Sequence, residues 1–442
     1  VRKKLTLLPL VAATYFMVAG GPYGLEELVH QAGFAAAVVI LLITPLVWSL
    51  PSALMVGELA SAVPDEGGYY VWVKRALGPF WGFQEAWLSL CASVFDMAIY
   101  PSLFVIYLAR LWPTLGQGWA ALFVGVSVVL ACAVMNLRGS RSVGRSSIGM
   151  AVLLLAPFVV ICMGARWQAP EVSTAAAPNQ DWLGGLLIAM WNFMGWDNAT
   201  TVAGEVERPQ RTYPLAILVT LALVTLTYVL PVIAAGRTGL PSERWTTGSW
   251  VEVADRVGGS GLGVAVVLGG MVCGLGMMNA LVMSYSRLPM VMAQDGLLPR
   301  VFARVIPSNG APWFSIMVLS AAWSAALGLG IERLVELDVI LYGLALMLEF
   351  ASLVVLRRRE PRLARPFRVP GGLPVAVSLG LGPAALLALA VVHGRRPDRL
   401  NAMLLALGLA AAGPALYFLM KRLERVTEAA PSTADHRDRS VG

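Results

Sequence analysis

Apolar runs of about twenty residues, the length a helix needs to cross a bilayer core, recur along this sequence between short polar segments. They predict helices over residues 5–32, 34–62, 80–110, 119–137, 147–166, 183–206, 214–235, 261–286, 313–330, 334–356, 374–393 and 400–420. Twelve spans describe an all-α polytopic membrane protein with both termini on one side. Basic clusters such as "LRGSRSVGR" and "LRRREPRLARPFR" fall on that side, as do most of the 33 Lys and Arg residues. The positive-inside rule therefore makes both termini cytoplasmic, in a plasma (inner) membrane. One loop opposes it: "HGRRPDRL" carries Arg395, Arg396 and Arg399 on the other side.

Two runs are interrupted, the first by "AGGPYG" at 19–24 and the sixth by "NFMGWDNAT" at 192–200. The breaks are five spans apart, as expected if residues 1–166 and 183–356 are two five-helix repeats, the second inverted. Residues 374–420 are then two peripheral helices and 421–442 a polar cytoplasmic tail. Breaks at corresponding places in two halves point to a transporter's substrate site. The competing reading is that Gly and Pro are merely tolerated kinks in membrane helices.

Composition narrows the class further. Only 13% of the 442 residues are charged and 57% are hydrophobic, against about 25% charged in a soluble domain. The net charge of +7 sits in loops at a membrane surface, so the bilayer is a partner and nucleic acid is not. The four cysteines lie in separate apolar runs, and His30, His393 and His436 are far apart. That spacing suggests no disulfide framework, metal site or Ser–His enzyme, and no cofactor is expected.

Acids inside apolar runs are the candidate chemistry. Glu26 and Glu27 follow the first break, Asp197 lies in the second, and Asp96 falls within the third run. An acid at the bilayer centre costs about 3 kcal/mol, yet no Lys or Arg lies in the interior of any predicted span; all lie in loops or at span ends. Backbone amides freed by the breaks, protons or a visiting cation remain as partners. Glu349 in the tenth run is a further proton-site candidate. Glu58 and Asp295 read as helix-end or gate residues, and Glu205 as a gate acid paired with Arg208 or Arg211. Tyr23, Tyr100, Trp191, Phe193 and Trp196 cluster near the breaks, where aromatic faces attract ammonium groups; Trp191 and Trp196 are expected to line the site.

The stretches "LPSALMVGELASAVPDEGGYYVWV", "GEVERPQRTYP", "SRLPMVMAQDGLLP" and "RPFRVP" together resemble the amino acid–polyamine–organocation transporter superfamily over nearly the whole chain. "GGPYGLEE", "ALGPFWGFQEAW" and "FDMAIYPSLF" are most similar to its plant-type polyamine:proton symporter branch and that branch's bacterial relatives. The resemblance implies two inverted five-helix repeats plus two peripheral helices, alternating access, and a substrate held between the broken helices and spans 3, 8 and 10. It places Gly20, Gly21, Tyr23, Gly24 and Glu26 at the first break and Trp191, Asn192, Gly195, Trp196 and Asp197 at the second, with Asp96 as an acid of span 3. Three departures stand out. Pro22 and Tyr23 alter the Gly-Ser-Gly type turn that holds a substrate carboxylate in amino-acid-transporting members. Leu281 occupies the place of an acid in span 8, and Leu154 that of a lysine some members carry in span 5.

The sequence thus predicts a non-enzymatic uptake transporter for a cationic amine, polyamine or basic amino acid, coupled to H+ through Asp96, Asp197 or Glu349. The substrate would be bound by the residues at the two breaks together with Asp96 and Tyr100. Closure of the outer loop at 239–259 would accompany rocking of the broken helices. A neutral amino-acid permease is the alternative, and a non-transporting nutrient sensor an alternative of another class. The sequence leaves monomer and homo-oligomer open.

Overall fold

The computed structural model describes residues 5–165, 181–393 and 400–429; the three arginines of "HGRRPDRL" and residues 430–442 of the expected tail lie outside them. α1 (Leu7–Val18) ends at an unwound segment, beyond which α2 (Glu26–Thr44) begins. α2 is itself two helices: Gly33, at φ 76°, turns the chain back, a conformation costly for any residue with a Cβ. A π-turn at Pro45–Ser49 then leads into α3 (Leu50–Ala62). α4 (Tyr69–Leu77), α5 (Pro79–Ala109), α6 (Gly118–Leu137) and α7 (Ser140–Gly164) follow. α8 (Trp182–Asn192) stops at the second unwound segment, and a 3-10 stretch, Asn198–Glu205, leads to α9 (Pro209–Gly236). The remaining helices are α10 (Trp250–Gly258), α11 (Ser260–Tyr285), α12 (Arg287–Gln294), α13 (Trp313–Ala325), α14 (Ile331–Arg359), α15 (Gly372–Leu379), α16 (Leu381–His393) and α17 (Leu400–Ala429).

The fold is helical throughout, with no strand among the described residues beyond two isolated bridges. Nine helical stretches among those residues are long and apolar enough to cross a membrane, and α1, α8 and α13 are shorter apolar helices. Several limits differ from the hydropathy pattern. α7 starts at Ser140 and α9 at Pro209, because each helix begins with a polar segment that carries Arg141 and Arg145 or Arg211 ahead of the apolar run. α13 ends at Ala325, where a turn with Gly328 intervenes before α14. α17 continues through the polar turn after Met420, so part of the expected tail is helix.

α5 and α14 form the centre of the bundle, packed side by side. Their most apolar stretches are 72% and 67% buried, against 28% for α7 and 22% for α17. Phe123, Val152, Met163 and Phe418 are exposed on the outer helices, as expected of a surface solvated by lipid. The end of the bundle where α1 begins carries the basic loops; Arg359 at the end of α14 donates to the Ala76 carbonyl just before α5 (3.1 Å), so these two helices run antiparallel.

Candidate functional site

The first break follows from its residues. Ala19 N–H still bonds back to Tyr15 (2.6 Å), and regular bonding restarts with Leu25 N–H to the Pro22 carbonyl (3.2 Å) and Val29 N–H to Leu25 (3.1 Å). Between them Pro22 has no N–H to give. The second break uses short turns: Phe193 N–H bonds Met190, Met194 N–H bonds Trp191, and Gly195 N–H bonds the Tyr342 hydroxyl (3.1 Å). Gly195 has φ 90°, and a Cβ there would stand 2.4 Å from the Met17 carbonyl oxygen. Only glycine lets the two broken helices approach so closely. Asn192 Nδ2 reaches the Gly24 carbonyl (3.4 Å), tying one break to the other.

Together the breaks line a small cavity at the middle of the bundle. Of the residues expected at the site, Gly20, Tyr23, Asp96, Tyr100, Trp191, Asn192 and Gly195 line it. Asp96 Oδ1 accepts from the Tyr100 hydroxyl (2.5 Å) and Trp191 Nε1 (3.2 Å), and those two rings are stacked, 6.4 Å between centroids and 22° between planes. Across the cavity stands Asp338 of α14, 2% exposed, whose Oδ2 makes no hydrogen bond. Tyr285 and Tyr342 complete an aromatic wall, and Met17, Met194 and Met277 supply soft apolar contacts. Among the described residues, no Lys, Arg or His lines the cavity. The wall thus combines two carboxylates, one with an unsatisfied oxygen, with several aromatic rings.

The structure relocates the other expected residues. Asp197 is buried beside the cavity and reaches it through Tyr342, whose hydroxyl donates to Oδ1 (2.5 Å). Trp196 does not line the cavity; its Nε1 is turned back onto the Phe193 carbonyl (2.8 Å) because the break reverses the helical face. Trp191 alone of that pair is on the wall. Gly21 packs against Leu154, whose Cδ2 would lie 2.7 Å from an added Cβ, and Gly24 against the Trp191 ring. Leu281 is buried in α11 away from the lining.

Glu26 also lies off the cavity, fully buried with both oxygens used. Oε2 accepts from Gly24 N–H (2.7 Å), and Oε1 accepts from the Tyr107 hydroxyl (2.5 Å) and Gly248 N–H (3.0 Å). Gly248 belongs to the loop before α10, and Trp250 Nε1 donates to the Pro22 carbonyl (2.9 Å). Glu26 therefore clamps the 239–259 loop onto the first break. A second, mainly apolar cavity shares Trp191 with the first and has Glu27 and Glu336 on its wall.

At the basic end, acids have resident partners. Glu205 accepts from Arg287 Nε (2.9 Å) and Nη2 (2.7 Å), and from Ser140. Arg208 is exposed at the start of α9, so the expected pairing with Arg208 or Arg211 is replaced by one from α12, which packs against the 3-10 stretch. Leu5 N–H bonds the Glu205 carbonyl and Glu207 N–H the Leu5 carbonyl, both 2.8 Å, lacing the chain before α1 to the end of the sixth run. Glu58 is held by Arg357 (2.5 Å), Arg365 (3.3 Å) and Val369 N–H (2.8 Å). Asp295 pairs with Lys74 (2.6 Å) and accepts from the Tyr70 hydroxyl (2.6 Å).

Sequence reasoning missed Asp338, Tyr342, Tyr285 and Asn198. A signal existed for the first two: Asp338, Tyr342, Ala345 and Glu349 follow the 4-3-4 spacing of one helical face in an apolar run. Asp338 lies near the start of that run and so reads as an interfacial residue.

Comparison with known proteins agrees with this architecture. The family model described as "Amino acid permease" matches residues 11–411. The polyamine transporter RMV1 of Arabidopsis thaliana is 32% identical over 442 residues, covering 98% of this chain and 89% of that protein. The polyamine transporter PUT1 of Oryza sativa subsp. japonica is 33% identical over 432 residues, covering 95% and 80%. The serine/threonine exchanger SteT of Bacillus subtilis (strain 168) is 24% identical over 338 residues, covering 73% and 75%. The chain belongs to the amino acid permease family of the amino acid–polyamine–organocation superfamily: it is a permease-type membrane transporter and not an enzyme.

Proposed function

We propose that this permease imports a cationic amine, a polyamine or a basic amino acid, across the plasma membrane by proton-coupled alternating access. The observation that carries the reading is the cavity wall, where Asp96 and Asp338 stand among Tyr23, Tyr100, Trp191, Tyr285 and Tyr342 without a basic residue. An ammonium group there gains two carboxylates and several aromatic faces, while the carboxylates gain the counter-charge their burial demands. Asp197, coupled through Tyr342, adjusts the charge of the site. A substrate α-carboxylate is poorly served: Pro22 has no N–H, and those of Gly24 and Gly195 are already bonded to Glu26 and Tyr342. Relatives named polyamine transporters point the same way.

In this reading residues 1–166 and 183–356 are inverted five-helix repeats within a twelve-span bundle, the basic end faces the cytoplasm, and α16 and α17 are peripheral. The Glu26–Gly248 and Trp250–Pro22 bonds form the outer closure and the Glu205–Arg287 and Lys74–Asp295 pairs the inner one. Protonation of one acid weakens ammonium binding and aids release inside. Hydrocarbon from Leu154 beside Gly21 offers no oxygen to a metal ion, which favours H+ as coupling ion.

The test is uptake into proteoliposomes carrying an inward proton gradient, with putrescine, spermidine, arginine, serine and alanine compared. Concentrative uptake of an amine or arginine, collapsed by dissipating the gradient, is expected. Uptake of serine or alanine alone would replace this reading by that of a neutral amino-acid permease, and binding without any uptake by that of a sensor.

A further inference from the structure

The two central helices carry a second pair of acids. On α5, Glu85 and Asp96 are eleven residues apart, and on the antiparallel α14 so are Asp338 and Glu349. Eleven residues make about three helical turns, or about 16 Å of rise, so each helix presents both its acids on one face. The Asp96/Asp338 rung holds the cavity, and Glu85 and Glu349 form a rung nearer the basic end. Glu85 is 0% and Glu349 1% exposed. Glu85 Oε1 accepts from the Ser89 hydroxyl (2.8 Å), whereas Glu85 Oε2 and Glu349 Oε2 have no hydrogen-bond partner. The hydroxyl of Tyr69, on α4, is likewise buried, with the Ser284 hydroxyl of α11 beside it. Glu349 lies within electrostatic reach of Glu85 and Asp197, and Tyr69 within reach of all three.

Two ionised carboxylates cannot share a dry site without a counter-charge. Neither acid makes an ion pair among the described residues, and neither lines the two cavities around Trp191. An amine has no room at this rung; a proton does. We propose that Glu85 and Glu349 are the carrier of the co-transported proton, with Tyr69 as the hydroxyl linking them to Asp197 at the substrate cavity. The inference rests on the proton-coupled reading above. The proton passes from the Asp197 carboxyl through the Tyr69 hydroxyl, which gives up its own proton as it accepts one, to a carboxylate oxygen of the pair. From there it leaves toward the basic end when the inner closure opens. Other titratable groups face this rung: Tyr342 of α14 and Tyr70 of α4, beyond which lies the Lys74–Asp295 pair; Tyr285 of α11 faces Tyr69 and the Asp96/Asp338 rung.

The full-length protein is compared with Glu85→Gln and Glu349→Gln, which keep shape and remove the proton site. Infrared difference spectra between mildly acidic and mildly alkaline pH should show a protonated-carboxyl carbonyl signal that each variant loses. In proteoliposomes, proton influx driven by putrescine, arginine or alanine should fall at least about tenfold, while counterflow of the same substrate stays within about threefold of wild type. Wild-type proton influx in either variant overturns the proposal, and so does loss of counterflow together with influx, which would make the pair structural. Substrate transport by the wild type with no proton influx would instead overturn the proton-coupled reading itself.

Discussion

The basic end of the bundle and its middle treat acids in opposite ways. At the basic end four acids own a cation: Glu58 has Arg357 and Arg365, Glu205 has Arg287, Asp295 has Lys74, and Glu360 has Arg75. In the middle, Asp96, Asp338 and Asp197 have only hydroxyl, indole and amide donors, and one oxygen of Asp338 has nothing. A paired acid fastens helices together. An unpaired one raises the energy of the site until a cation or proton arrives, the usual trade of stability for function. Glu26 sits between the two cases: it has no cation, but three donors saturate it, and it acts as a clamp.

Separate substitutions break the comparison at different points. Glu58→Gln leaves Arg357 and Arg365 buried without their counter-charge and should lower stability by about 3–5 kcal/mol; thermal denaturation should show a large drop whether or not an amine is present. Asp338→Asn should do the reverse, leaving melting temperature unchanged or raised while weakening amine binding by about 2–5 kcal/mol in a titration. Glu26→Gln should cost about 1–3 kcal/mol of stability through its unsatisfied amides with amine affinity held within about threefold. A Glu26 variant with normal stability and no binding would move Glu26 into the site.

The smallest effect belongs to the solvent-facing pair. Hydrogen bonding from Arg75 holds the Glu360 carboxyl below its ordinary range. A depressed value means the pair stabilises above the carboxyl's ordinary range and that this is lost as pH falls through the lowered value. Because both side chains are about a third exposed, Glu360→Gln should change stability by at most about 1 kcal/mol, measured at neutral pH and again in acid.

Much of this division can be read from residue order alone. Pro22, which has no N–H, and the flexible glycines around it announce a break in the helix, Gly33 falls between two predicted spans, and Asp96 is conspicuous inside an apolar run. The pairing of acids is not legible, because partners come from elements far apart in sequence. Arg208 looks like the partner of Glu205 by proximity, but the helix ends there and Arg287 arrives from α12. Trp191 and Trp196 look equivalent until the intervening break turns one ring into the cavity and the other away. Glu85 and Asp338 sit near the ends of their runs and pass for interfacial residues; only the packing of α5 against α14 shows them facing the same interior.

The central claim is that the unpaired carboxylates await an ammonium group. Calorimetric titration of putrescine, arginine and alanine into purified wild type and Asp338→Asn tests it most directly. Putrescine or arginine should bind the wild type, alanine should not, and Asp338→Asn should weaken binding at least about thirtyfold, or about 2 kcal/mol. Equal binding of the cation by both proteins, or binding of alanine alone, would contradict it.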